Sequence, residues 1–348
     1  MTDQETTIEV ENLYRRFGRI VAVNNISFTV RRGEIVGFLG PNGAGKSTTM
    51  RILTGYVPAT SGIVRICGHP VASEPVEARR RIGYMPENNP LPVDLRVRDY
   101  LHWRGRLKEW RGRKLRERIN TVLEICDLTR AQNRIIGKLS KGFRQRVGIA
   151  DAILAEPDVI IMDEPTIGLD PHQIIMIRDL IASLRGRMSV IISSHILPEI
   201  EATCDRVIII NHGRIVAAGT PGELRHEFVD RTTYIAEVAG SWEQVEKALG
   251  DLASHREITR LPDIGTPGEF YNVQIEVPAD HDYGEEILSR LTAAEGLRVR
   301  LLSRRQPSLE EVFLAATRRS WETVTPRKKR ELEGRLPYPE RTVKGRKR

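Results

Sequence analysis

The chain has 348 residues, of which 40% are hydrophobic, a length and composition that support two packed domains and exclude a disordered polymer. Its longest apolar runs, such as residues 159–162 and 207–210, are far shorter than the roughly 20 residues that span a bilayer, which argues against a transmembrane helix. The net charge of +8 comes almost entirely from residues 326–348, which hold ten Lys or Arg and three Glu. The remaining charge of about +1 does not favour nucleic acid as a partner.

The first third of the chain predicts β-structure. Apolar and polar residues alternate within 7–39, and turn-forming residues lie at 17–18 and 31–33, as expected for short antiparallel strands. Residues 63–66 predict one more such strand. A further apolar segment ends at Met85 and leads into a break rich in Pro and Asn.

The middle of the chain shows a helical pattern first and then short strands that alternate with helices. Residues 97–126 carry apolar side chains three and four positions apart, which predicts an inserted helical subdomain at about 93–150. After it, short apolar runs at 159–162, 190–193 and 207–211 alternate with helical stretches such as 172–184. This order predicts an α/β fold with a mostly parallel sheet that is covered by helices on both faces.

A second, smaller domain is predicted beyond the first. Its elements follow the order strand, helix, strand, strand, helix, strand, and a last helix follows; they are placed at 232–238, 241–249, 255–261, 270–277, 283–294, 297–303 and 308–317. That order is typical of a small α+β ferredoxin-like domain. We therefore divide the chain into residues 7–222, an accessory domain at 225–322 and a disordered basic tail at 323–348.

Residues 40–48 form a phosphate-binding loop between a predicted strand at 35–39 and a helix that begins near Thr48. Its glycines let backbone N–H groups point at β- and γ-phosphate oxygens, and the helix N-terminus adds positive potential. Lys46 would neutralise the phosphates and Ser47 would offer its hydroxyl to Mg²⁺. The predicted nucleotide site comprises Gly40, Pro41, Asn42, Gly43, Ala44, Gly45, Lys46, Ser47 and Thr48.

Two adjacent acids end the apolar run at 159–162. Asp163 is placed to hold Mg²⁺ through its water shell, and Glu164 to polarise an attacking water as general base. Paired acids can also cap a strand end, but a cap does not explain why they occur in a chain with a phosphate loop. The two motifs together predict a hydrolase of nucleoside triphosphates.

With these motifs the chain resembles the ATP-binding subunits of ABC transporters over residues 7–220. The segment 139–146 resembles the family signature L-S-G-G-Q, with Ser140 and Gly142 retained and Lys141 and Phe143 substituted. Ser140 is also a helix N-cap, and a helix N-terminus favours anions. The resemblance implies that Ser140 and Gly142 bind the γ-phosphate of ATP held by a second subunit.

Four further residues match the family in order. Phe17 lies at the position of its adenine-stacking aromatic residue, or is a core residue of a strand. Glu87 replaces the usual Gln of the loop that contacts Mg²⁺ and senses the membrane partner. Asp170 matches the loop that couples two ATP sites, and His195 matches the switch histidine that contacts the γ-phosphate.

A weaker resemblance concerns the end of the chain. Residues 306–314 resemble the closing motif of ATPase subunits from exporters with separate permeases, in the multidrug and gliding-motility-like group. Ser308 and Glu311 also form a capping box, which accounts for the local chemistry without any family. The exporter subgroup is therefore an expectation that depends on Glu87 and Lys141 as well.

The resemblance implies ATP and Mg²⁺ as ligands, a second ATPase subunit and a separate integral-membrane permease as partners. An alternative is an ABC-type ATPase that works without a permease, in a regulatory or nucleic-acid-associated role. We expect a cytoplasmic protein at the inner face of the membrane, since no apolar signal region precedes Thr7 and the cysteines form no disulfide framework. Residues 326–348 either bind anionic lipid or only solubilise the chain.

Overall fold

The computed structural model describes residues 5–228, 231–250, 252, 257–261, 269–278, 281–305 and 307–322. Within those ranges, no helix combines the length and the apolar character that a membrane span requires. Three parts of the predictions lie outside the described residues: Gln306, which is the first residue of the segment 306–314, the basic tail at 323–348, and the start of the predicted strand 255–261.

The strands are β1 (Thr6–Phe17), β2 (Ile20–Arg31), β3 (Ile35–Leu39), β4 (Ser61–Ile66), β5 (His69–Pro70), β6 (Ile82–Met85), β7 (Val159–Asp163), β8 (Ser189–Ser194), β9 (Arg206–Asn211), β10 (Arg214–Gly219), β11 (Arg231–Ala239), β12 (Glu257–Arg260), β13 (Phe270–Pro278) and β14 (Arg298–Arg305). The helices are α1 (Lys46–Leu53), α2 (Pro75–Arg80), α3 (Val97–Leu107), α4 (Gly112–Ile125), α5 (Lys141–Ile153), α6 (Pro171–Ala182), α7 (Leu197–Thr203), α8 (Pro221–Phe228), α9 (Trp242–Leu249), α10 (Gly284–Ala293) and α11 (Leu309–Glu322).

The central sheet has the order β10-β9-β3-β8-β7-β6, and all its neighbours are parallel except β10 and β9. Every residue of β3, β7 and β8 is buried, as expected for parallel strands that are covered on both faces. The predicted α/β class and its mostly parallel sheet are confirmed. Helix α1 begins at Lys46, two residues before the predicted start.

An antiparallel sheet of order β2-β1-β4-β5 packs beside the central one. β1 and β2 are each 12 residues long, so the prediction of short strands was wrong in length. Their pairing contains several register shifts, for example between Val10 and Leu13. Such bulges interrupt the alternation of apolar and polar residues although the strand continues. The sequence pattern therefore indicates strands that are shorter than the real ones.

The third sheet has the order β12-β13-β11-β14, with antiparallel neighbours throughout. Helices α9 and α10 pack on one of its faces, where Val245, Leu249, Ile287 and Leu291 join a core with Tyr234 and Val273. This is the topology of a ferredoxin-like fold, which confirms the predicted fold class. The last helix, α11, lies elsewhere: Leu309, Val312 and Ala316 join the core of the central sheet beside Leu224 and Phe228 of α8.

Candidate functional site

The strand order brings distant parts of the chain to one edge of the central sheet. β8 lies between β3 and β7, so the loop after β3, the acids at the end of β7 and His195 after β8 are neighbours. Ligands of open α/β sheets bind at the carboxyl ends of the strands, because the adjoining loops and helix N-termini converge there. The predicted site residues from three motifs therefore meet in this fold.

The loop after β3 wraps tightly against β2. Gly45, the N-cap of α1, has φ 108°, and a Cβ there would lie 2.4 Å from the carbonyl oxygen of Ala22. Gly43 also has a positive φ, of 80°. These backbone conformations favour glycine. The N–H of Ala44 donates within the loop to the carbonyl oxygen of Pro41 at 3.1 Å, and the N-terminus of α1 follows directly, where an anion is favoured. The tight curl supports the predicted phosphate-binding role of residues 40–48.

Glu164 is held between two basic side chains. Its Oε1 lies 3.6 Å from Nζ of Lys46, and its Oε2 lies 2.8 Å from Nδ1 of His195. The side chains of Lys46 and Glu164 are buried, whereas that of His195 is 45% exposed. Nζ of Lys46 also donates to the carbonyl oxygen of Gly40 at 2.7 Å. A carboxylate held in this way at the wall of a phosphate site is placed to act as a general base on a water molecule.

The backbone at Glu164 is strained. Its φ is 51°, in the left-handed region that a residue with a long side chain seldom occupies. Its N–H donates to both the carbonyl oxygen and Oγ of Ser193, each at 3.1 Å. These bonds to β8 hold the strained conformation and fix the carboxylate toward Lys46 and His195.

Ser47 and Asp163 place two hard oxygen ligands side by side. Oγ of Ser47 donates to Oδ1 of Asp163 at 3.2 Å, and Ser193 donates to the same oxygen. Within the described ranges, no cluster of three or more His, Cys, Asp or Glu side chains could hold a metal. Mg²⁺ commonly takes one or two protein oxygens and completes its octahedron with substrate phosphates and water. The pair therefore fits Mg²⁺ that arrives with a nucleotide.

A cavity of about 390 Å³ is lined by eight of the predicted residues together with Ile167. Its lining consists of Pro41, Asn42, Gly43, Lys46, Ser47, Glu87, Glu164, Ile167 and His195. Glu87 also lines a larger neighbouring groove of about 890 Å³, together with Asp163 and Trp103. Glu87 therefore lies where the phosphate cavity and the groove adjoin.

The other predicted residues lie outside this cavity's lining. Ser140 caps α5 by accepting from the N–H of Phe143 at 3.5 Å, and together with Gly142 it lines a separate cavity beside Gln173. Asp170 caps α6 by accepting from the N–H of Gln173 at 2.9 Å. Phe17 ends β1 with its ring exposed and the guanidinium of Arg15 stacked 4.2 Å from the ring centre. Their nucleotide-binding roles remain predictions, as does that of Thr48.

Sequence reasoning missed a second bridge between the same segments. Oγ1 of Thr166, two residues after Glu164, donates to Oε2 of Glu199, four residues after His195, at 2.5 Å. Burial raises the pKa of the Glu199 carboxyl, and the bond from Thr166 opposes that rise. The buried Oε1 of Glu199 has no partner within the described part of the chain. The sequence does show that Thr166 and Glu199 each lie within four residues of a predicted site residue. It does not show that they bond to each other, because they are 33 positions apart.

We expect Thr166→Val to lower kcat about tenfold and to leave KM for ATP nearly unchanged, because the bridge positions Glu164 and His195 without touching the nucleotide. Combining it with Glu199→Gln in a double-mutant cycle of ATPase rates should give a coupling of about 0.5–3 kcal/mol. Thr121→Val, the same change at an exposed position of α4, serves as the control. Strictly additive effects of the two changes would contradict a shared positioning role.

The fold and the site define a P-loop ATPase. The chain matches the ABC transporter family over residues 23–167 and the DrrA1-3-like ATP-binding protein C-terminal domain over residues 219–317. It is 34% identical to Nod factor export ATP-binding protein I of Burkholderia lata, over 90% of this chain and 97% of that one. It is 31% identical to linearmycin resistance ATP-binding protein LnrL of Bacillus subtilis, over 90% and 99% respectively. The chain therefore belongs to the ABC transporter ATP-binding proteins, and it is an ATPase.

Solved structures agree with this assignment. An ATP-binding subunit of an ABC transporter is 32% identical, with a TM-score of 0.59 over 64% of this chain and 93% of that one. An ATP-binding cassette captured as a dimer after hydrolysis, with ADP and Pi bound, is 26% identical, with a TM-score of 0.56 over 61% and 98%. Both similarities cover the cassette, and they confirm the predicted fold and ATPase activity.

Proposed function

We propose that this chain is the ATPase subunit of an exporter and that it drives a separate integral-membrane permease. The observation that carries the proposal is the buried Glu164 carboxylate, held between Lys46 and His195 at the edge of the phosphate cavity. Two relatives similar to the chain over nine-tenths of its length are named for Nod factor export and linearmycin resistance, which supports export. The alternative, an ATPase without a permease, has no observation in its favour.

The roles of the site residues follow from their positions. The loop N–H groups and Lys46 bind the phosphates, while Glu164 accepts a proton from the attacking water. His195 orients the Glu164 carboxylate through its Nδ1 contact. Ser47 and Asp163, with Glu87 at the cavity wall, would hold Mg²⁺, which when bound neutralises charge on the phosphates. Water must reach Glu164 through the cavity, since the rest of its side chain is enclosed.

We also propose that two such cassettes act as a pair. Ser140 and Gly142 line a different cavity from Lys46 within one chain, so a γ-phosphate contact from α5 would have to come from another subunit. The dimeric cassette structure with ADP and Pi supports this arrangement. ATP would then join two subunits, and hydrolysis would remove the joining phosphate and loosen the pair. Asp170 and Phe17 would complete the two nucleotide sites.

The large groove beside Glu87 is the proposed place of contact with the permease. Tyr56 at its rim is 79% exposed, whereas a large aromatic side chain is usually more buried. Exposed aromatic residues around a concave surface are typical of protein interfaces. We further propose a peripheral location at the cytoplasmic face of the membrane, to which residues 326–348, with a charge of +7, would add attraction for anionic lipid.

The experiment that tests the proposal measures ATP hydrolysis by the purified full chain with and without a candidate permease. The candidate is the membrane protein with about six apolar spans that is encoded beside this chain's gene. We expect its reconstitution in vesicles to change the ATPase rate at least severalfold, while an unrelated polytopic membrane protein has no effect. An ATPase that is indifferent to the neighbouring membrane protein would favour the alternative without a permease.

A further inference from the structure

The turn between α3 and α4 carries a surface that the ATPase mechanism does not use. Between positions 106 and 116 it exposes the cationic side chains Arg106, Arg111, Arg113, Lys114 and Arg116. Two apolar side chains of α3, Trp103 and Leu107, are 51% and 59% exposed beside them. We call this surface, formed by Trp103, Arg106, Leu107, Arg111 and Lys114, the basic tip.

The cations near this turn divide into two groups. Arg104 and Lys108 point inward and share the carboxylate of Asp151, at 2.8 and 3.8 Å. By contrast, Arg106, Arg111 and Lys114 have no carboxylate within ion-pair distance in the described part of the chain. The nearby acid Glu109 lies 3.9 Å from Arg80, and Glu117 pairs with Arg113. The basic tip therefore keeps an uncompensated positive charge.

Packing brings together the two helices that carry these side chains. Gly105 lets α3 approach α4 closely, since a Cβ there would lie 2.2 Å from Cδ1 of Leu115. Trp103, Arg106 and Leu107 are spaced three and four positions apart and so share a face of α3. The N–H of Trp110 donates to the carbonyl oxygen of Gly105 at 3.0 Å and closes the turn. The charges and the apolar side chains are thus presented together.

We propose that the basic tip binds the anionic headgroup surface of the membrane. Unpaired Arg and Lys attract anionic lipids, and exposed Trp and Leu beside them are the side chains that enter the headgroup boundary. Nucleic acid would also attract the cations, but it gives no reason for exposed Leu107. Trp103 and Arg104 line the groove proposed for the permease, so the tip adjoins the side of the cassette that faces the membrane. The orientation of the tip in the assembly rests on the proposed function; its binding of lipid does not.

The test compares binding of full-length variants to vesicles of phosphatidylcholine with and without phosphatidylglycerol. Replacing three cations, Arg106→Gln, Arg111→Gln and Lys114→Gln, should lower partitioning onto the anionic vesicles on the order of tenfold to a hundredfold at low salt. A matched control removes the same charge elsewhere, by Arg130→Gln, Arg187→Gln and Lys247→Gln, and should bind like the unaltered chain. Because every variant keeps residues 326–348, the contribution of that segment cancels.

A charge-preserving set, Arg106→Lys, Arg111→Lys and Lys114→Arg, should retain most of the binding. ATP hydrolysis by the Gln variant should persist, which shows that it folds and separates this proposal from the ATPase assignment. Undiminished partitioning of the Gln variant, or an equal loss in the control, would overturn the proposal. So would a Gln variant that loses affinity for a DNA duplex while its binding to anionic vesicles is unchanged.

Discussion

Replacing Glu164 by Gln is expected to abolish steady-state ATP turnover and to leave ATP binding intact. The amide has nearly the shape of the carboxylate but cannot accept the proton of the attacking water, and loss of a general base lowers rates on the order of 10²–10⁴-fold. The phosphate loop is unchanged, so the nucleotide should remain bound. Phosphate release measures the turnover, and equilibrium dialysis with labelled ATP measures the binding.

The same variant should trap a pair of cassettes in the presence of ATP, because hydrolysis would be the step that separates them. Size-exclusion chromatography with ATP should show the doubled mass, and without ATP it should not. Glu124→Gln makes the same chemical change at an exposed position of α4 and should hydrolyse ATP normally. Steady hydrolysis by the Glu164 variant would show that another group is the base.

Replacing Lys46 by Ala should weaken ATP binding on the order of tenfold to a hundredfold. Its buried ammonium group lies among acceptors, 2.7 Å from the carbonyl oxygen of Gly40 and 3.6 Å from Glu164, and no other Lys or Arg lines the phosphate cavity among the described residues. A hydrogen bond to a charged group contributes about 1.5–3 kcal/mol, which corresponds to this range of dissociation constants. Equilibrium binding of ATP gives the measurement.

Lys46→Met separates the loss of charge from the loss of a buried side chain, because it keeps most of the apolar stem. Both variants should lose affinity, and thermal unfolding without nucleotide reports any loss of stability. Lys138→Ala, at an exposed position, is the matched control. Unchanged affinity in both Lys46 variants would mean that the ammonium group does not contact the phosphates.

Local patterns determined much of the site. The curl of residues 40–48 needs glycines at fixed positions, and a parallel strand buried on both faces reads as an apolar run that ends at a polar residue. The phosphate loop and the acids at the end of β7 were therefore predicted from neighbours in the sequence, whereas the role of His195 was implied by the family resemblance. The helix cap at Ser140 was equally local, because a cap bonds a backbone N–H three residues away.

The tertiary structure alone decided how these pieces meet. The sequence places Glu164 and His195 31 positions apart, and only the order β3-β8-β7 brings their side chains to 2.8 Å. The same order creates the Thr166–Glu199 bridge and the support from Ser193, which no local spacing indicates. Helix α11 likewise follows the ferredoxin-like sheet in the chain but packs with α8, because its apolar face fits the core of the central sheet.

The phosphate loop and the paired acids thus determined the kind of chemistry, since backbone conformation and side-chain type are fixed within a few residues. The site itself depended on strand order, which is set by the burial of whole strands and by contacts across the entire cassette. For the charges of the basic tip, too, the sequence shows one part and the tertiary structure decides the other. Their number is visible in the sequence, but whether a cation turns inward to Asp151 or stays unpaired is decided only when α3, α4 and α5 pack together.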